Sequence, residues 1–284
     1  MSAADPETQR ADQRAAWEKA ADGWGKQADQ MRRLGMPVSM WMIEHVGLQP
    51  GQRVLELAAG PGDTGFLAAE VIQPSGTLIS SDGAEAMVNV ARERAQALGL
   101  NNVEFQQLEL EWIDLPTASV DVILCRWGLM LTVDREAAVQ EMRRVLKPGG
   151  HLALAVWDEP EHNLWATAPN KALIELGAAE PPDPDAPGMF VLAKPGVMAE
   201  LLESAGFTDV LVESVEIERT YQDLDEYLAE LFDLSQMFKR GVDGLSVDRR
   251  AEVRRRIAET LAPFTNDDGS LRLPGRSLAA VASA

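Results

Sequence analysis

From residue 52 onward, short apolar runs alternate with longer segments in which apolar residues recur every three or four positions. The runs are "QRVLELAA" (52–59), "GTLISSD" (76–82), "VEFQQLEL" (103–110), "VDVILCRW" (120–127) and "HLALAVW" (151–157). The helical segments between them are "TGFLAAEVI" (64–72), "AEAMVNVARERAQALG" (84–99) and "DREAAVQEMRRVL" (134–146). In the second of these, Met87, Val88, Ala91, Ala95 and Leu98 share one face, and Gly99 supplies the C-cap. The third is stopped by "KPGG". Strands alternating with helices, several of them continuously apolar, imply a mostly parallel sheet covered on both faces. The pattern predicts a doubly wound α/β core over residues 49–157.

Outside that core the periodicity changes. Residues 1–48 form an N-terminal helical segment: the first fifteen are polar and expected to fray, and a helix runs from about Ala15 to Val46. Trp17, Trp24, Met31 and Trp41 weight it, and "GLQPG" ends it. Residues 158–195 form an insertion with a Pro/Asp-rich loop, "EPPDPDAPG". Residues 196–221 read as a helix followed by an edge strand. Residues 222–266 form a helical cap with Tyr227, Leu228, Leu231, Phe232 and Leu234 on its apolar side. A final strand occupies 267–284, placed to pair antiparallel at the sheet edge. The arginines of "DRRAEVRRRIAETL" resemble a nucleic-acid patch, but Val253, Ile257 and Leu261 define a buried stripe, so the basic side chains are its solvated face.

Composition narrows the partners. The 284-residue chain carries 26 basic and 45 acidic residues, a net charge of −19. Such a field repels polyanions, which argues against nucleic acid and anionic membrane surfaces. The single cysteine, Cys125, has no intramolecular partner and fits a reducing cytoplasm. The N-terminus lacks the apolar core of a signal peptide, and no run approaches the roughly 18 apolar residues of a membrane span. The expectation is a cytoplasmic protein; whether it forms a homodimer stays open.

Candidate chemistry sits in the first strand–loop–helix unit, where Gly60, Gly62 and Gly65 have the spacing G-x-G-x-x-G. Glycines there let backbone approach a ligand, and a helix N-terminus offers free N–H groups. The spacing suits a dinucleotide, yet Glu56 precedes the loop and Asp63 lies within it. A phosphate about 4 Å from a carboxylate suffers a repulsion of roughly 4 kcal/mol per charge pair at an effective dielectric near 20. S-adenosylmethionine, with its sulfonium and ammonium, reverses that sign. Asp82, ending the second strand, is placed to accept two ribose hydroxyls, a marker shared by both ligands. Glu109 is placed to accept from an adenine amino group, with Leu110 and Met87 against the ring. A dinucleotide also needs a second mononucleotide-binding half, which the Pro-rich chain after Trp157 does not offer.

These segments together resemble the class I S-adenosylmethionine-dependent methyltransferases, and among them the small-molecule family that includes the quinone-biosynthesis C-methyltransferases. The similarity is carried by "VLELAAGPGDTG", Asp82, "LELEWIDLP", "SVDVILCRWGLMLTVD" and "EMRRVLKPGGHLALAVW", over about residues 50–157, with "MAELLESAGFTDVLVE" extending it. The third-strand segment departs from the usual Gly-Asp-Ala in having Leu108-Glu109-Leu110. The resemblance implies a Rossmann-like, seven-stranded sheet with a helical substrate cap. It implies that Ala58, Gly60 and Gly62 hold the methionine portion and that Glu56 supports the loop. It further implies that Asp82 binds ribose, Gly83 and Met87 border the adenosine, and Glu109 and Leu110 face adenine. Arg126 and Trp127 then approach the sulfonium and the acceptor.

The implied cofactor is S-adenosyl-L-methionine, the product S-adenosyl-L-homocysteine, and no metal is expected. The leaving group is a neutral thioether, so in-line positioning with water excluded dominates over acid catalysis. Where the acceptor must lose a proton, His162 in "WDEPEHNLW" is the candidate general base and Asp158 the next; His45 and His151 are read as structural. Trp24, Trp127 and Trp157, with Trp165, are candidates to line an acceptor pocket for a small organic molecule, with core packing as their other reading. Two rival functions remain: a protein that binds S-adenosylmethionine without catalysis, and an NAD(P)-dependent oxidoreductase.

Overall fold

The structure, a computed structural model, describes residues 5–183 and 186–284. Two helices, α1 (Pro6–Lys26) and α2 (Ala28–Val46), lead into β1 (Arg53–Glu56), α3 (Asp63–Val71), β2 (Thr77–Asp82), α4 (Glu85–Leu98), β3 (Val103–Gln107), β4 (Val120–Arg126), α5 (Arg135–Val145) and β5 (Leu146–Trp157). There follow α6 (Leu164–Glu175), α7 (Val197–Ser204), β6 (Thr208–Tyr221), α8 (Leu224–Leu234), α9 (Gln236–Asp243), α10 (Val247–Leu261) and β7 (Leu271–Ser283). The seven strands form one sheet in the order β3-β2-β1-β4-β5-β7-β6. β1 to β5 are mutually parallel, and β7 runs antiparallel to both its neighbours. The expected doubly wound core and antiparallel final strand are therefore present, but β7 is inserted between β5 and β6 instead of ending the sheet, and β6 forms the edge.

The inner strands are apolar on both faces because helices cover both. Val54, Leu55, Val122, Ile123, Leu124, Leu152, Ala153 and Leu154 are fully buried. Strand order reverses between β1 and β4, which opens a crevice at their carboxyl ends. Pairing of β5 with β7 ends at Trp157↔Ser277, while β6 and β7 stay paired from Glu216↔Arg276 to Tyr221↔Leu271. At about 3.3 Å per residue, this two-stranded ribbon projects roughly 20 Å beyond the sheet edge and carries the α8–α10 cap.

Several elements differ from the sequence expectation. Helix α1 starts at Pro6, with Asp5 accepting a hydrogen bond from the Thr8 N–H at 3.3 Å, so most of the expected frayed segment is helical. Residues 1–4 lie outside the described residues. The single N-terminal helix is two, divided at Gln27. The division lets Gly23 lie against the α8 backbone, where an added Cβ would come within 2.1 Å of the Asp233 carbonyl oxygen. β3 ends at Gln107, leaving Glu109 in the following turn, bridged to Trp112. The cap is three helices, because the Ser235 and Ser246 hydroxyls each accept an N–H at a new helix start. No helix among the described residues is long and apolar enough to cross a membrane.

Candidate functional site

The crevice is a cleft whose floor is the loop from β1 to α3. Ala58, Gly60 and Gly62 take left-handed backbone there, with φ of 50°, 51° and 89°. For the alanine this costs about 1–3 kcal/mol, a strain that concentrates at ligand sites. Gly128 faces Ala58 from the end of β4, and a Cβ on it would lie 2.4 Å from the Ala58 Cβ. Gly65, third in the glycine pattern, serves a different purpose, because a Cβ on it would lie 2.2 Å from Glu56 Oε2. It makes room for a buried carboxyl rather than for a ligand.

Four acids behave differently from one another. The Gly65 N–H donates to Glu56 Oε1 at 2.8 Å, while Oε2 is buried without a partner. Burial pushes the Glu56 carboxyl up to about 8, against the Gly65 N–H and Arg126. Asp82 is held by two N–H groups at 3.0 Å, Gly60 to Oδ2 and Ala84 to Oδ1, and burial pushes it up to about 6. Asp63 does not present its charge to the cleft. It is buried and paired with Arg94 at 2.8 Å and Arg126 at 3.4 Å. The repulsion expected from Asp63 is therefore balanced inside the fold, and Glu56 and Asp82 carry the acidity of the floor. Glu109 borders the cleft but is engaged by Arg14 Nε at 3.0 Å.

The fourth-strand residues are held on every side. Trp127 has left-handed backbone (φ 61°), its indole N–H donates to Ser277 Oγ at 2.9 Å, and its ring stacks on Trp157 at 4.1 Å. The Arg126 guanidinium lies over the Trp127 ring at 4.5 Å. Trp157 in turn packs edge-on to Trp165 at 4.8 Å, and Arg219 caps Trp165 at 3.9 Å. Arg126 Nη1 is buried without a partner. It lies where a Cβ on Gly35 of α2 would sit, 1.5 Å away.

Helix α1 forms the roof. Trp17 and Trp24 meet edge-on at 5.7 Å and pack on the cluster formed by Ala20, Ala21, Ala84 and Met87. The Trp24 indole nitrogen is buried without a partner. Glu18 accepts from the first N–H groups of α4, Glu85 at 2.7 Å and Ala86 at 3.0 Å. Arg10 pairs with Glu111, whose other oxygen accepts from the Val133 and Asp134 N–H groups at 2.8 and 2.9 Å.

Glu56, Ala58, Gly60, Asp82, Gly83, Met87, Glu109, Leu110, Arg126, Trp24 and Trp127 thus all line one cleft. Gly62, Trp157 and His162 are not among its lining residues. Gly62 lies behind the loop against the Phe66 ring, and Trp157 is buried beneath Trp127. His162 sits in a short 3-10 turn (Pro160–His162) after β5, and Asp158 is buried and paired with Arg276. Arg10, Gln13, Arg14, Trp17 and Glu111 line the cleft without having been anticipated. The first four, with Trp24, follow helical spacing along one face of α1; Arg10, Gln13 and Arg14 fall in the segment expected to fray, whereas Trp17 and Trp24 fall in the expected helix.

Known proteins share this architecture. A family described as a methyltransferase domain matches residues 48–179. The chain is 30% identical over 184 residues to the ubiquinone/menaquinone biosynthesis C-methyltransferase UbiE of Shewanella halifaxensis, spanning 60% of this chain and 73% of that protein. A solved S-adenosylmethionine-dependent methyltransferase from Aquifex aeolicus is 25% identical, covers 68% of this chain and 90% of its own, and superposes with a TM-score of 0.51. The YcgJ protein of Bacillus subtilis, 22% identical, shares the fold at a TM-score of 0.59 over 86% of this chain and 97% of its own.

Proposed function

Since the chain belongs to the class I S-adenosylmethionine-dependent methyltransferases, we propose that it transfers the methyl group to a small organic acceptor by in-line displacement, with positioning rather than acid catalysis dominating. Bound S-adenosylmethionine supplies a methyl group on a sulfonium whose leaving group is a neutral thioether, so no acid is needed to expel it. The cleft fits that cofactor: a buried, unpartnered carboxyl oxygen on Glu56 and the open backbone at Ala58 and Gly60 suit its cationic end. Asp82 would hold the ribose hydroxyls, with Gly83 and Met87 alongside and Leu110 against adenine. Glu109 would reach adenine only by sharing or releasing Arg14. Arg126 and Trp127 would border the methyl group, and α1, through Trp17 and Trp24, would exclude water from above.

The acceptor is not activated by His162 in this proposal, because His162 lies outside the cleft lining. Trp24 is assigned to the cofactor roof, since it packs on the cluster of Ala84 and Met87 beside Asp82 and Gly83.

The observation that carries the proposal is the buried, unpartnered Glu56 oxygen in the cleft, which suits a cationic cofactor end and not a pyrophosphate. Asp82, which a dinucleotide would also use, supplies the ribose contact. Two N–H groups fix its carboxylate at the end of β2, at the rim of the glycine loop, leaving lone pairs for a vicinal diol. Calorimetric titration with S-adenosylhomocysteine and with NAD, in parallel, tests the proposal. The expected outcome is binding of the first and not the second; binding of NAD alone would overturn it. Asp82→Ala should weaken S-adenosylhomocysteine binding by about tenfold or more, through loss of charge-assisted hydrogen bonds. An unchanged affinity removes Asp82 from the ribose site.

A further inference from the structure

A second cavity, of about 590 Å³, opens at the carboxyl edge of the sheet between α2, the β6–β7 ribbon and α8. It lies at the other end of the indole stack from the cofactor cleft, since Arg219, which lines it, caps Trp165 at 3.9 Å. Its volume is in the range of small-molecule sites.

Its floor is a buried network of charge. Arg219 and Glu230 pair with side chains only 5% and 4% exposed. Arg219 Nε also donates to the Tyr221 hydroxyl at 2.9 Å, and that hydroxyl donates to Glu230 Oε1 at 2.8 Å. Gln30 donates to Glu230 Oε2. A buried ion pair adds little to stability beyond what an apolar pair of equal volume would give. Seating α8 on β6 is therefore a weak reason for this network.

Hydrogen-bond accounting shows which groups remain to meet a ligand. Both oxygens of Glu230 are taken. Glu226, also at the wall, accepts from the Gln222 N–H. Glu218 meets Arg272 at 3.5 Å, where both side chains are more than half exposed. Against these largely engaged acceptors stand three guanidinium groups with five N–H donors each. Arg219 spends two of its nitrogens on Tyr221 and Glu230, and Arg272 has one carboxylate contact. Arg33 has no ion-pair partner among the described residues. Three arginines and three glutamates line the cavity, and Glu218 and Glu226 each keep one oxygen uncommitted among the described residues. The surplus therefore lies in guanidinium N–H donors and not in net charge.

We propose that this cavity is a second small-molecule site, separate from the cofactor cleft, that takes a compact anion presenting several carboxylate or phosphate oxygens to Arg33, Arg219 and Arg272. Bidentate guanidinium pairing gives such oxygens both geometry and strength. The site does not depend on the methyl-transfer reading.

The test is calorimetric titration of the full chain, saturated with S-adenosylhomocysteine, with citrate and separately with inorganic phosphate at constant ionic strength. The expected result is saturable binding of at least one of them, weakened at least fivefold in Arg33→Ala/Arg272→Ala. Affinity for S-adenosylhomocysteine should be unchanged in that variant. Citrate alone would identify a carboxylate ligand, and phosphate alone a phosphate ester. Both substituted side chains are exposed, so the variant keeps its fold; Arg219→Lys, which keeps the charge but loses the fork, should weaken binding as well. No saturable binding of either anion, or equal affinity in the wild type and the double variant, overturns the proposal. Should S-adenosylhomocysteine itself fail to bind, the same titrations on the free chain still decide between these outcomes.

Discussion

Glu56 and Asp82 are held at about 8 and about 6 by burial, where ordinary carboxyls lie near 4. Glu56 therefore holds a proton at neutral pH in the ligand-free protein. A sulfonium and an ammonium beside these groups favour their ionised forms, so binding S-adenosylmethionine expels protons. Its affinity should rise with pH from about 6 to about 8 and then level off. S-adenosylhomocysteine, without the sulfonium, should show a shallower rise. Titrations in buffers of different ionisation heat would read the released protons; none released at pH 7 contradicts the linkage. For stability the sign is the same for both acids. The folded values lie above the unfolded ones, so their contribution is full below the unfolded values and is lost as pH rises through 6 and then 8. Glu56→Gln should flatten the upper part of that loss in melts taken between pH 6 and 8.5. Gly35 makes a second residue-scale prediction, because a Cβ there would lie 1.5 Å from Arg126 Nη1. Gly35→Ala should cost about 1–3 kcal/mol in denaturant melts and alter the near-ultraviolet signal of the Trp127 stack. A variant as stable as the wild type would mean that α2 yields there freely.

At the scale of elements, α1 is attached through a small apolar cluster, Trp17, Ala20, Ala21 and Trp24 on Ala84 and Met87, and through a row of polar contacts. Arg10, Arg14 and Glu18 bind Glu111, Glu109 and the start of α4, and Lys26 and Gln27 reach Asp233 of the cap. The polar contacts exchange readily with water and the apolar cluster is small, apart from the main core, so the roof is an element suited to open for cofactor exchange. Glu18→Ala removes the acceptor for two N–H groups at the start of α4, a loss of roughly 0.5–2 kcal/mol by analogy with caps. Hydrogen exchange should then rise over residues 6–26 and the first turn of α4 while the sheet stays protected. A uniform rise across the chain would show that α1 is part of the global folding unit.

For the whole molecule, the single cysteine reports on unfolding. Cys125 is fully buried in β4, at the centre of the sheet, and burial pushes its thiol up to about 12. It should resist a disulfide reagent such as DTNB in the native state and react at the rate of global opening. The reaction should accelerate in denaturant along with loss of the circular dichroism signal; fast labelling of the native protein would place an opening in β4 itself. The same burial removes Cys125 from any role at the cleft, although β4 ends there.

Much of this architecture was legible in one dimension because its causes are local. Apolar periodicity separates strand from helix, and Gly60, Gly62 and Asp82 declare themselves by spacing along a single β–α–β stretch. The buried stripe of Val253, Ile257 and Leu261 was legible for the same reason. What the sequence could not order were pairs far apart along the chain. A polar residue on a helix looks the same whether it meets water or an acid, so Arg10 and Arg14 read as frayed surface until Glu111 and Glu109 were placed opposite them. Asp63 read as a charge facing the ligand until Arg94 and Arg126 closed on it. Gly65 read as part of a ligand loop, and the room it makes for Glu56 is visible only in space. The sequence by itself determined the alternation of strands and helices over 52–157, the sheet class and the edge where a ligand binds, but not where α1 and α2 divide or where β7 inserts. Tertiary structure decided which charges stay free at that edge, because pairing depends on distance across the fold.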